Sequence, residues 1–166
     1  MQFSLPYFGE INLQQLEERY DADTDTGVSL DINFDKTSID AERAELIKQY
    51  LQDLDALEQQ CLTAIQEDYQ IADSSTYEYT RFWMEELTAE ELAGLVGEAG
   101  SDEEKAAALL SRIQLKRVGF YPDGAYGAPQ FATFDYGIKI DDEFQDLLIV
   151  VQWNDQRGID YITTES

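Results

Sequence analysis

The hydrophobic period of this 166-residue chain changes twice, and each change narrows the folds open to it. In VSLDINFD the apolar residues Val28, Leu30, Ile32 and Phe34 alternate with polar ones, the spacing of a half-buried strand. From Ser38 the spacing becomes three and four, so that Ile47, Tyr50, Leu51, Leu54, Leu57, Cys61, Ile65 and Tyr69 share one helical side. After Arg112 the pattern is β again, in LKRVGFY, QFATFDYGIKI, DLLIVVQW and GIDYITT. This order predicts an α+β domain. Its sheet is mostly antiparallel with five or six strands, an N-terminal hairpin plus a C-terminal four-strand meander, and several helices cover one face. With no linker or low-complexity stretch, residues 1–166 read as a single domain.

Punctuation between these segments supports the same order. DADTDTG (21–27) sets aspartates at alternate positions as calcium loops do, but counting from Asp21 puts Thr26 where the motif needs glycine and Ile32 where it needs glutamate. The stretch therefore reads as a hairpin tip, with Thr24 to Gly27 as the turn. The helical pattern from Ser38 is too long for one helix, and Asp53 and Asp55 predict a kink or two consecutive helices. Thr88 with Glu91, and Ser101 with Glu104, match the capping box and start two further helices. LLIVVQW, the most continuously apolar run, reads as a central strand.

Thirty-five acidic against eleven basic residues give a net charge of -24 at pH 7. Such a field repels phosphate backbones and anionic membranes, so neither nucleic acid nor a membrane is an expected partner. No basic n-region or long apolar run follows Met1, which predicts a soluble cytoplasmic protein. The chain has no histidine and one cysteine, Cys61, which removes the usual zinc sites and the Ser-His and Cys-His nucleophile pairs; Cys61 reads as a small core residue.

VGFYPDG (118–124), followed by FATFDYGIKIDDEFQDLLIVVQWNDQRGIDYITTES, resembles the bacterial family catalogued as domain of unknown function 2004, as do YFGEINLQQLEE and the VSLDINFD strand before a helix. The likeness runs nearly the full length in element order. It carries no established activity and no catalytic residue. Members of that family are similar in general character to small immunity-type proteins encoded near bacterial toxins.

Glu85 and Glu86, Glu90 and Glu91, and Asp141 to Glu143 are acidic runs of the kind that cover solvated faces, and no catalytic, metal or cofactor role is assigned to any of them. No glycine-rich phosphate loop occurs. YPDGAYGAP (121–129) presents Tyr121, Asp123 and Tyr126 together in a turn, which makes these three the candidate partner-binding residues. The expected function is a non-enzymatic acidic protein-binding module, an immunity-like inhibitor of a basic partner. The alternatives are a carboxylate-dependent hydrolase or divalent-cation-assisted enzyme, or a self-associating structural module.

Overall fold

A computed structural model describes all residues from Met1 to Ser166. The chain opens with a hairpin of two short strands, β1 (Gln2–Leu5) and β2 (Gly9–Asn12), turning through Tyr7 in the left-handed region. Sequence pattern alone treats this stretch as a lead-in, because its apolar residues are sparse. Leu5, Ile11, Leu13 and Leu16 nevertheless reach the main core.

Next come β3 (Arg19–Asp23) and β4 (Ser29–Asn33), paired antiparallel. The DADTDTG tip is the turn between them. Gly27 there takes a φ of 88°, its N–H donates to Thr24 O, and the Thr24 hydroxyl accepts from Val28 N–H. Five helices follow: α1 (Ala41–Gln52), α2 (Leu54–Tyr69), α3 (Ser75–Glu86), α4 (Ala89–Val96) and α5 (Asp102–Leu110). Asp53 separates α1 from α2 with φ −108° and ψ 18°, the break expected within the long helical pattern. Thr88 and Glu91 form a reciprocal capping box at α4, and Ser101 caps α5 through Glu104 N–H.

The C-terminal third returns to strands: β5 (Gln114–Phe120), β6 (Ala132–Gly137), β9 (Leu148–Trp153) and β10 (Ile159–Glu165). Between β6 and β9 lies a small hairpin, β7 (Lys139–Ile140) and β8 (Glu143–Phe144), turned by Asp141 and Asp142 at positive φ. The six long strands form one sheet in the order β10, β9, β6, β5, β4, β3. Every neighbour is antiparallel except β4 with β5, which run parallel. The helices supply the crossover that a parallel pair needs. β9 stands one place from the edge, and β5 and β6 hold the centre.

Alternation along these strands separates two unlike faces. Leu30, Ile32, Val118, Phe120, Phe134, Tyr136, Ile149, Val151 and Trp153 join the helix residues Ile47, Tyr50, Leu57, Ile65 and Tyr79 in one core of 30 residues. Tyr50 lies at its aromatic centre, with its ring 5.3 Å from Phe131, 5.8 Å from Phe120 and 6.0 Å from Trp153, and its hydroxyl donates to Asn154 O at 2.6 Å. The opposite face carries Asp31, Asn33, Arg117, Thr133, Asp135 and Gln152, none of which joins that core.

Cys61 is fully buried in the core, where Trp153 Nε1–H donates to its sulfur at 3.3 Å. Burial pushes its thiol pKa up to about 12, so almost no thiolate exists at neutral pH. The native protein should therefore resist a thiol-specific reagent such as DTNB, with modification appearing only as urea unfolds the chain. Fast labelling under native conditions would contradict this packing.

Candidate functional site

The sheet face away from the helices is organised around one arginine. Arg117 projects from β5 between β4 and β6, since its Cα partners are Ser29 and Asp135. Its Nε donates to Asp31 Oδ1 at 2.6 Å and Nη2 to Asp31 Oδ2 at 2.7 Å, a two-pronged contact with a carboxylate only 2% exposed. Nη1 donates to Asp135 Oδ2 at 3.1 Å, and Nη2 also reaches the Tyr121 hydroxyl at 2.7 Å. Arg19 on the edge strand adds a longer contact to Asp31 at 3.8 Å.

Glycine makes this geometry fit. The guanidinium lies against Gly119, where a Cβ would stand 2.7 Å from Arg117 Cζ and 3.1 Å from Asp31 Oδ2. Burial works against the charge on Arg117. Hydrogen bonds to Asp31 and Tyr121 and the fields of Asp31 and Asp135 outweigh it, so its pKa is raised. Asp135 goes the other way in stability terms: burial lifts its carboxyl pKa, and Arg117 only partly offsets that. One shallow depression of about 310 Å³ opens beside this cluster, lined among others by Asp21, Asp23, Asp31, Lys116 and Arg117.

The structure parts the three candidate residues of the 121–129 turn. Tyr121 belongs to the arginine cluster through its hydroxyl. Asp123 turns inward, and its carboxylate accepts from Asp35 N–H at 3.0 Å and Lys36 N–H at 2.8 Å, tying the turn to the end of β4. Tyr126 points outward, 78% exposed, on a left-handed residue of a short 3₁₀ turn (Ala125–Gly127). Arg43 from α1 supports the same turn, donating to Pro122 O at 3.0 Å and pairing with Asp155 at 3.0 Å.

Arg117, Asp31 and Asp135 were not singled out by sequence pattern. In VSLDINFD, Asp31 reads as an ordinary outward polar residue, and its partner lies 86 positions away. The one local signal was the pair of cations Lys116 and Arg117 inside a strand, LKRVGF, with Arg117 on the same side as a glycine two residues on. Glu85, Glu90, Asp141, Asp142 and Glu143 are exposed, as their acidic runs suggest, whereas Glu91 is half-buried and spent on the cap of α4, accepting from Thr88 N–H. No group of three acidic or cysteine side chains converges in a way that could hold a metal ion. A cleft of about 860 Å³ between α2, α3 and α5 already contains a cation: Arg81 lies 6.0 Å from the Tyr77 ring and 3.6 Å from Glu85. Comparison with family models, with curated proteins and with solved structures finds no match to this chain.

Two outcomes follow from the cluster. Arg117→Met should destabilise the fold by about 3 to 5 kcal/mol, because it removes the close counter-charge of both buried carboxylates and leaves Asp31 only the Asn33 amide and the longer Arg19 contact, and Gly119→Ala should cost about 1 to 3 kcal/mol by displacing the guanidinium; urea unfolding measures both. The raised pKa of Asp135 means that its folded carboxyl binds a proton more readily than the unfolded one, so its ionised form opposes folding at neutral pH. That opposition fades as the pH falls through the folded pKa, which lies above the ordinary 3.8. Relative to Asp135→Asn, the wild-type chain should thus gain stability as pH is lowered from neutral toward that value.

Proposed function

We propose that the protein is a non-enzymatic acidic binding module that docks onto a basic partner protein and occludes it, in the manner of an immunity-like inhibitor. The observation that carries this reading is the state of its charges. Only six of the thirty-five carboxylates take part in an ion pair: Asp21, Asp31, Asp53, Glu85, Asp135 and Asp155. The cations in those pairs are arginines, and no lysine contributes. The remaining acids leave an anionic surface that the chain does not neutralise itself.

A field of that sign accelerates encounter with a positive surface and holds the pair by complementary charge once they meet. Occlusion then needs only bulk, which a rigid sheet and helix layer provide. Membership of the family that the VGFYPDG and C-terminal hairpin segments resemble forms part of this proposal, since its members share that small immunity-type character.

The expected outcome is measurable with a basic peptide of about ten lysine and arginine residues. Affinity should fall by about tenfold or more between about 20 mM and about 150 mM salt, and a matched acidic peptide should not bind. Binding that ignored salt would argue for another mode of recognition.

A further inference from the structure

Eight buried side-chain polar atoms lack a hydrogen-bond partner, and they divide by place and by chemistry. Thr76 Oγ1, Tyr79 Oη, Trp83 Nε1 and Tyr136 Oη belong to the helices and the core side of the sheet, and each can donate. Asn33 Oδ1, Thr133 Oγ1, Asp135 Oδ1 and Gln152 Oε1 all stand on the face that carries Arg117. Three of these four oxygens only accept, and the Thr133 hydroxyl, like that of Thr76, can both donate and accept. Their residues are 1%, 4%, 6% and 5% exposed, so bulk water does not satisfy them.

The strand register brings them together. Thr133 on β6 and Gln152 on β9 are directly opposed, and Asp135 lies two residues along β6 on the same face. Across β5, Thr133 faces Gly119, which in turn faces Asp31 on β4, two residues before Asn33. A buried acceptor without a donor is costly, and native domains keep few of them. Four such oxygens on one face leave acceptor capacity that the chain's own groups do not fill. Arg117 shows what such a surface accepts: its guanidinium lies against Gly119 and spends its N–H groups on Asp31, Asp135 and Tyr121.

We infer that this sheet face is the docking surface for the basic partner, and that Thr133, Asp135, Gln152 and Asn33 receive N–H groups from arginine or lysine side chains of that partner. The inference rests on the docking reading above and names its site. Charge agrees with it, since Asp21, Asp23 and Glu165 border the same face and are exposed. Tyr161, opposite Gln152 and 52% exposed, supplies an aromatic rim against which a guanidinium can stack.

The test uses the full chain and the same basic peptide. Thr133→Val with Gln152→Leu removes two of the acceptors and leaves net charge unchanged. The double variant should unfold at an equal or higher temperature, because unpartnered buried oxygens are gone, and should bind the peptide about tenfold more weakly. Amide shift mapping of the wild-type chain provides the second arm, independent of how the variant folds: perturbations should centre on residues 133, 135, 150, 152, 161 and 163. Equal affinity in the variant, or shifts spread over the helices, would overturn the sheet-face assignment while leaving salt-dependent docking intact. Absence of any binding at low salt would overturn both. A concentration-dependent dimer in light scattering, abolished by the same double variant, would assign the face to a second copy of the chain and overturn the basic-partner assignment.

Discussion

The parallel contact between β4 and β5 is the junction on which the architecture depends. It joins a hairpin near the start of the chain to a meander at its end, and closing so long a loop carries an entropic cost that local pairing does not. Three polar clamps lie along it. Arg117 grips Asp31 across the two strands; Asn33 Nδ2 donates to Phe120 O at 3.2 Å; Asp123 receives the N–H groups of Asp35 and Lys36 just past the end of β4. Below these, Leu30 and Ile32 pack with Val118 and Phe120 in the core. Without the junction, β4 and β5 would each become an unpaired edge in the middle of the molecule, with backbone groups open to aberrant pairing.

How much of this is legible in sequence follows from what periodicity encodes. Alternation reports which face a side chain occupies, so the strands of the main sheet, the break at Asp53 and the helix starts at Thr88 and Ser101 can all be read locally. Strand order is not a local property. Nothing in VSLDINFD names β5 as its neighbour, and nothing in LLIVVQW distinguishes the centre of the sheet from the next place out. The β1 and β2 hairpin escapes notice for a related reason: Phe3, Leu5 and Ile11 are too few to set a period, and only tertiary contact with the core makes them a pair.

The same limit explains the candidate site. YPDGAYGAP has the composition of a display loop, and composition cannot say which side chains are spent on the fold. Asp123 is spent holding backbone, Tyr121 is drawn to Arg117, and Tyr126 alone faces water. Conversely, Asp31 and Asp135 sit in strands whose alternation suggests solvent, but a guanidinium from the intervening strand closes over both. A buried charge must find its counter-charge somewhere, and here it finds it 86 residues away from Asp31 and 18 from Asp135.

Strong acidity and unfilled acceptors on the sheet face would place complementary demands on the proposed partner. Net charge acts at long range and is indifferent to geometry, so it favours approach without choosing a site. Acceptors fixed on adjacent strands act only at contact, and their rotamers are already restrained by neighbours in the register. Side chains held in this way lose little freedom when a ligand arrives, whereas the glutamates on the outer faces of α3 to α5 would have to be ordered. The penalty for keeping four oxygens unpaired falls on the free chain, and a donor that relieved it would recover part of that penalty as affinity, less the cost of its own desolvation. On the proposed reading, such a surface would contribute least to the stability of the isolated protein at the very positions where it contributed most to recognition.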